Sequence, residues 1–206
     1  MTVLESFGHS CFRITAANGY QVVFDPYETG SVPGVDLPAG LTADAVYCSH
    51  GHADHNAAHL VQLRQDGPEN PFVMTEVTVP HDDAGGAKRG MNVIRRLQSA
   101  DFTVIHYGDI GRDLTAEETE ILKGADLILI PVGGHFTIDA AQAGRIIRDT
   151  APKTAVLMHY RSALGGYDVI AHIDDVRKII PAEHCPDWTM TVEDHPGIWT
   201  MEPYRG

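Results

Sequence analysis

Four metal-ligating side chains fall within the six residues His50-Gly51-His52-Ala53-Asp54-His55, directly after the apolar run 45–48. Imidazole nitrogens and carboxylate oxygens are the donors that zinc, manganese and iron accept in enzyme sites. Their spacing restricts the backbone that can bring them together. In a regular helix, residues two apart point to nearly opposite sides, so His50 and His52 could not grip one ion there. Leaving a strand through a tight turn, they can. Asp54 and His55 are adjacent and diverge in either regular structure, which suits ligands for a second ion close to the first.

Three further donors share that placement. His81, Asp109 and His159 each follow an expected strand, as His50 does. Ligands gathered from the same ends of several strands are how α/β scaffolds assemble sites. On this reading His50, His52 and His81 hold one ion, Asp54, His55 and His159 hold the other, and Asp109 bridges them.

The elements that must position these groups follow from hydrophobic periodicity and turn residues. Residues 3–4, 11–14 and 21–24 are short apolar runs separated by Gly8-His9-Ser10 and Asn18-Gly19, a β-meander with tight turns. Residues 28–43, rich in Gly and Pro, read as a surface loop able to rim a site. After the motif, Ala57, Leu60, Val61 and Leu63 recur at helical spacing, which predicts a helix over 56–65 with Asn56 as its cap. Strands are expected at 72–74, 77–79, 93–97 and 102–106, the last two as a hairpin. A capped helix at 115–122 carries acidic residues in its early turns, matching the helix dipole. Fully apolar runs at 126–131 and 154–158 are buried strands, 139–148 and 172–180 are helices, and the C-terminal stretch with Trp188 and Trp199 reads as a polar segment. Residues 82–90 form a glycine-rich loop, with Lys88-Arg89 as wet loop residues. Gly133-Gly134 marks a close backbone approach near the metals.

Composition bounds the rest. The chain has 206 residues, 43% apolar and 21% charged, which fits one folded domain over 1–206. Lys and Arg number 15 against 28 Asp and Glu, a net charge of −13 that argues against nucleic acid as the main partner. No apolar run approaches the ~20 residues of a membrane span, and no signal peptide is visible, so a cytoplasmic location and a small-molecule substrate are expected. Cys11, Cys48 and Cys185 have no metal-knuckle spacing and read as buried thiols in a reducing compartment.

The order of these motifs resembles the metallo-β-lactamase-fold hydrolase superfamily. The likeness is carried by Gly8-His9-Ser10-Cys11-Phe12, Phe24-Asp25-Pro26, the histidine motif with its flanking Ser49 and Asn56, Gly108-Asp109-Ile110-Gly111, Pro131-Val132-Gly133-Gly134 and Met158-His159-Tyr160. The closer similarity is to its small single-domain branch, that of L-ascorbate-6-phosphate lactonase-like proteins. The resemblance implies an α/β fold, a four-layer αββα sandwich, with a dinuclear site at one sheet edge. It is specific for fold and metals, and unspecific for substrate.

The chemistry expected is hydrolysis of an ester, lactone, amide or phosphodiester. A water bridging two divalent ions about 3.5–4 Å apart has its pKa drawn from ~16 towards ~7, so hydroxide is available at neutral pH. Asp54 would orient that nucleophile and take its proton. Asp25 and Asp82 are the carboxylates expected to hold ligand imidazoles through their other nitrogen. His135, Tyr160 and His9 are candidates for donating a proton or touching substrate. Zinc is the first choice of metal, and the same donors take manganese or iron. Two other classes remain open: a di-iron oxidoreductase on the same fold, separated by which metal binds, and a non-catalytic module, which a closed four-ligand cage would have marked.

Overall fold

Short strands dominate the chain. In the computed structural model, which describes residues 1–206, the elements begin with β1 (Val3–Ser6), β2 (Phe12–Thr15), β3 (Gln21–Phe24), β4 (Thr42–Ala43), β5 (Ala45–Tyr47) and β6 (Gln62–Leu63). β7 (Val73–Pro80), β8 (Met91–Gln98), β9 (Thr103–His106), α1 (Ala116–Ile121) and β10 (Leu127–Pro131) follow. The chain continues with α2 (Ala140–Thr150), β11 (Thr154–Met158), α3 (Ile173–Ile179), β12 (Glu183–Cys185), β13 (Thr189–Thr191) and β14 (Gly197–Met201).

Two sheets face each other. The smaller has the order β13-β1-β2-β3-β5, with the meander β1–β3 antiparallel and β5 parallel to β3. The larger has the order β12-β14-β11-β10-β9-β8-β7, parallel from β9 through β12 and antiparallel at β8 and β7. Strand β10 shows why its run is continuously apolar. Leu127 and Leu129 face the small sheet, packing with Leu4, Phe12, Ile14 and Phe24, while Ile128 and Ile130 face α2 and α3 through Ala143, Ile146, Val176 and Ile180. Both faces of a central parallel strand are covered, so alternation disappears from the sequence. Helices α1 and α2 each start on a capping box, Thr115 with Glu118 and Asp139 with Gln142.

The outer face of the small sheet is covered differently. Phe7, Val23, Tyr27, Val32, Leu41 and Val61 form a third apolar cluster beneath the loop of residues 26–43 and one 3-10 turn, Ala58–Leu60. The sandwich thus has four layers, one of them thin. The helix expected over 56–65 is absent. Ala57, not Asn56, occupies the N-cap position and makes no side-chain cap bond. Of its apolar stripe only Ala57 and Val61 are buried, while Leu60 and Leu63 are 37% and 55% exposed. So small a buried face does not repay helix nucleation, and the backbone instead turns extended at Val61 and pairs β6 with β4.

Two further elements differ from expectation. Residues 72–74 and 77–79 belong to one eight-residue strand, β7, whose register with β8 runs unbroken through Thr75 and Glu76. The C-terminal segment read as polar contains β12, β13 and β14. β13 pairs with β1, a partnership between the two ends of the chain that no local pattern can announce. No helix is long and apolar enough to cross a membrane.

Candidate metal centre

Every expected ligand comes off the end of a strand at one edge of the sandwich. β5 runs into His50, β7 into His81, β9 into Asp109 and β11 into His159. Their donor atoms fall into three overlapping groups, each with all atoms within 4.8 Å of one another: His50, His52 and His81; His9, Asp54, His55 and His159; and His50, His55 and Asp109. Asp109 Oδ2 lies 3.3 Å from His55 Nε2, 3.5 Å from His81 Nε2 and 3.2 Å from His159 Nε2, so one carboxylate touches both histidine groups.

Backbone strain is concentrated here. His9, Asp25 and His159 adopt φ of +54°, +43° and +55°, in the left-handed region that side chains avoid. The remaining non-glycine residue of this kind, Ala151, caps the end of α2. Such conformations cost about 1–3 kcal/mol each and persist where surrounding structure over-determines them. Two glycines supply the close approaches. A Cβ on Gly108 would sit 2.2 Å from Asn92 Oδ1, the atom that accepts from Asp109 N at 2.8 Å. A Cβ on Gly133 would sit 2.2 Å from the His159 carbonyl oxygen, which is the close approach the sequence predicts for that pair.

Asp25 organises the histidine turn. It accepts from Ser49 N and Ser49 Oγ, both at 2.6 Å, and from His55 Nδ1 at 2.7 Å. His55 therefore presents Nε2 to the cluster. His50 Nδ1 lies 3.0 Å from Ser49 Oγ and likewise leaves its Nε2 free. Burial, then repulsion from His55, brings His50 down to about 3, and burial together with His159 brings His9 down to about 4. Both are neutral imidazoles, the ligating form. Burial opposes charge on His55 too, but Asp109 and Asp25 outweigh it and raise its pKa well above the ordinary value. Burial would raise Asp109, yet His159 and His55 hold it well below the carboxylate range.

The donors fit a metal. His50 Nε2, His55 Nε2, His81 Nδ1, His159 Nδ1 and Nε2, and Asp109 Oδ1 are all buried without a hydrogen-bond partner. An orphaned buried polar group costs about 1–3 kcal/mol. Six in one cluster are unreasonable for a resting polar core, and one nitrogen from each of these imidazoles together with Asp109 is a donor set that divalent ions would satisfy.

Not every candidate reaches the centre. His9 does: its buried Nε2 is 3.2 Å from Asp54 Oδ2. His135 does not; it is exposed, its ring edge-on to Phe136 at 4.6 Å. Tyr160 also turns away, its hydroxyl donating to Met201 O at 3.2 Å. Adjacent residues diverge, so placing His159 in the cluster sends Tyr160 elsewhere. Asp82 holds no imidazole. It accepts four backbone N–H groups, from Ala84, Gly86, Lys88 and Arg89, and so folds the 82–90 loop. Burial opposes its charge, but those donors bring its pKa down to about 2. The residue that sequence reasoning missed is Tyr167, whose hydroxyl lies 3.3 Å from Asp54 Oδ2 and donates to Ser31 O at 2.7 Å. Its one signal is an aromatic after Gly165-Gly166, beyond the β11 ligand.

A family model described as a beta-lactamase superfamily domain matches residues 3–159. A UPF0173 metal-dependent hydrolase from Carboxydothermus hydrogenoformans is 26% identical over 188 residues, covering 75% of this chain and 83% of its own length. One from Staphylothermus marinus is 25% identical over 197 residues, covering 79% and 85%. Among solved structures, a proposed Zn-dependent hydrolase of the metallo-beta-lactamase superfamily from Thermotoga maritima superposes with a TM-score of 0.75 at 25% identity, covering 98% of both chains.

Proposed function

The chain belongs to the beta-lactamase superfamily, and from that premise we propose that it is a metal-dependent hydrolase of a small metabolite, working with two divalent ions, zinc first among them. The observation that carries this reading is the buried cluster of imidazole and carboxylate atoms with no partner in the protein. His50, His52 and His81 would hold one ion, Asp54, His55 and His159 the other, and Asp109 would serve both. When bound, the ions supply Lewis acidity, lowering the pKa of water and polarising the oxygen of an ester, lactone, amide or phosphodiester.

The chain's own residues do the positioning. Asp25 fixes the His55 ring, and Ser49 links Asp25 to His50. Asp54 Oδ2 is contacted by His9 Nε2 and Tyr167 Oη and lies 3.7 Å from His55 Nε2, so the carboxylate is held against the deeper ligand group, where it would orient the nucleophile and take its proton. Burial, then Asp54, raises the phenol pKa of Tyr167, which keeps its proton on at neutral pH.

Elemental analysis of protein purified without added metal, paired with ester, lactone and phosphodiester substrates, tests the proposal. We expect about two equivalents of zinc or manganese, as a two-metal site requires, with activity lost on chelation and in Asp54→Ala. Iron without hydrolysis would move the assignment to redox chemistry. Folded protein holding under half an equivalent of any metal would end the two-ion reading.

A further inference from the structure

One buried histidine stands behind the ligands rather than among them. His106 is the last residue of β9 and is 2% exposed. Gly108 N donates to its Nδ1 at 3.1 Å, so that nitrogen bears no hydrogen. Its Nε2 therefore carries the ring proton and donates to Ser10 O at 2.9 Å. The ring stacks on Phe24, centroids 4.9 Å apart and planes 11° from parallel, and Nδ1 stands 4.0 Å from Asp25 Oδ2. Each of these neighbours adjoins a residue of the centre. Ser10 follows His9, Gly108 precedes Asp109 and Phe24 precedes Asp25.

Those contacts join the two sheets where the ligands converge. β9 lies in the larger sheet, while Phe24 and the turn holding His9 belong to the smaller one. Phe24, Val104 and Leu129 share one apolar cluster between the sheets, and apolar packing has no direction of its own. Hydrogen bonds do have direction, and a ligand must be placed within about half an ångström. Asn92 on β8 accepts from Asp109 N and donates to Tyr107 O, both at 2.8 Å, which holds Asp109 within the larger sheet. His106 adds the bond to Gly108 and carries the tie across to Ser10. His9 and Asp25, with their left-handed φ, are each next in sequence to a residue that His106 touches. Backbone of that kind persists where its surroundings over-determine it.

We propose that His106 is a positioning residue of the metal centre, a neutral Nε2–H imidazole that locks the Asp109 loop of one sheet to the His9 turn of the other. It holds no ion and touches no substrate. It acts through His9 and through Asp109, the carboxylate that lies against both histidine groups. This rests on the metal-binding part of the reading above and is independent of which bond is cleaved.

His106→Phe, His106→Asn and His106→Gln separate positioning from packing. Phenylalanine keeps an aromatic ring for Phe24 and loses both hydrogen bonds. Asparagine can offer Oδ1 to Gly108 N, and glutamine can offer its amide N–H to Ser10 O. Zinc titration against a competing chelator should show affinity about 10–100-fold lower in H106F, the scale for groups behind metal ligands. H106N should restore part of that loss, and H106Q less. A side chain that only fills space gives the opposite order, H106F near the parent and H106N worst, and that order would overturn the proposal. Metal-free protein supplies a second readout. Amide hydrogen exchange at Gly108 should run at least about threefold faster in H106F and slow again in H106N, the scale of one lost hydrogen bond. Unchanged exchange in H106F would also overturn the proposal. Nitrogen NMR needs only the parent, so it decides even if a variant fails to fold: the ring proton should sit on Nε2, and a proton on Nδ1 instead would exclude the tie. If the parent binds zinc but cleaves no substrate, the order of affinities still supports His106 while the hydrolase reading fails.

Discussion

His55 and His52 stand three residues apart on one turn, yet His55 is fully buried with its Nδ1 on the Asp25 carboxylate, while His52 is exposed and its ring makes no hydrogen bond. The same contrast runs through the two ligand groups. Around the deeper group, His9 and Tyr167 contact Asp54, and Asp25 orients His55. Around the outer one, His81 Nδ1 has no partner and His50 leans on a serine hydroxyl. A carboxylate behind a ligating imidazole fixes its ring and raises its basicity. Asp54 and His55 of the deeper group are therefore fixed in advance, although His159 Nδ1 has no partner, whereas no side chain of the outer group is held by a carboxylate of its own. Zinc should load in that order, the deeper position first.

The largest expected effect comes from removing what makes the deeper half rigid. Asp25→Asn keeps the shape of the side chain but takes a charge from three donors, Ser49 N, Ser49 Oγ and His55 Nδ1. Affinity for the tighter ion should fall by about 10–100-fold, the range seen for outer partners of metal-bound histidines. The melting temperature should fall as well, because the group is buried. Zinc titration against a competing chelator reads both steps. An equal loss at both steps would erase the distinction between the halves.

His52→Ala should act on the other half and more gently. The side chain is exposed, holds nothing else in place, and can be removed without opening the core. We expect the weaker equivalent to be lost from elemental analysis at sub-stoichiometric zinc, with the tighter one retained and the melting temperature within about 1 °C, as for a surface substitution. Loss of both equivalents would mean that the ions bind only as a pair.

How much of this was legible in the sequence depends on how local each signal is. The seven candidate ligands could be brought to one sheet edge from one compact motif and from strand ends, because strands such as β10 and β11 declare themselves by apolar runs. Helices α1 and α2 were visible from Thr115 and Asp139, whose capping partners stand three residues away. What failed was non-local. Leu60 and Leu63 kept helical spacing without a core to meet, and β13 needed β1 from the opposite end of the chain. Asp82 and Asp25 looked alike as aspartates after strand ends, but the first met four backbone N–H groups and the second met an imidazole. Tyr160 sat beside a ligand in sequence and pointed away from it, while Tyr167, seven residues further on, returned to the site through Gly165-Gly166. Proximity along the chain was misleading where the backbone reversed.

Tyr167→Phe gives the smallest effect and the sharpest distinction between positioning and proton donation. The phenol has one hydrogen and two acceptors in reach, Ser31 O at 2.7 Å and Asp54 Oδ2 at 3.3 Å, so the shorter bond goes to the carbonyl. Asp54 keeps His9 Nε2 at 3.2 Å in the variant. Losing a shared, longer hydrogen bond should cost about 0.5–1.5 kcal/mol, or roughly 2–12-fold in kcat, with metal content unchanged. His9→Ala removes the nearer contact and should cost more. The double variant should then lose more than the product of the two single effects, because either donor alone still constrains the same oxygen. If Tyr167→Phe alone lost more than about a hundredfold, the scale of general acid catalysis, the phenol would be the group that protonates the leaving oxygen, and its contact with Asp54 would be incidental.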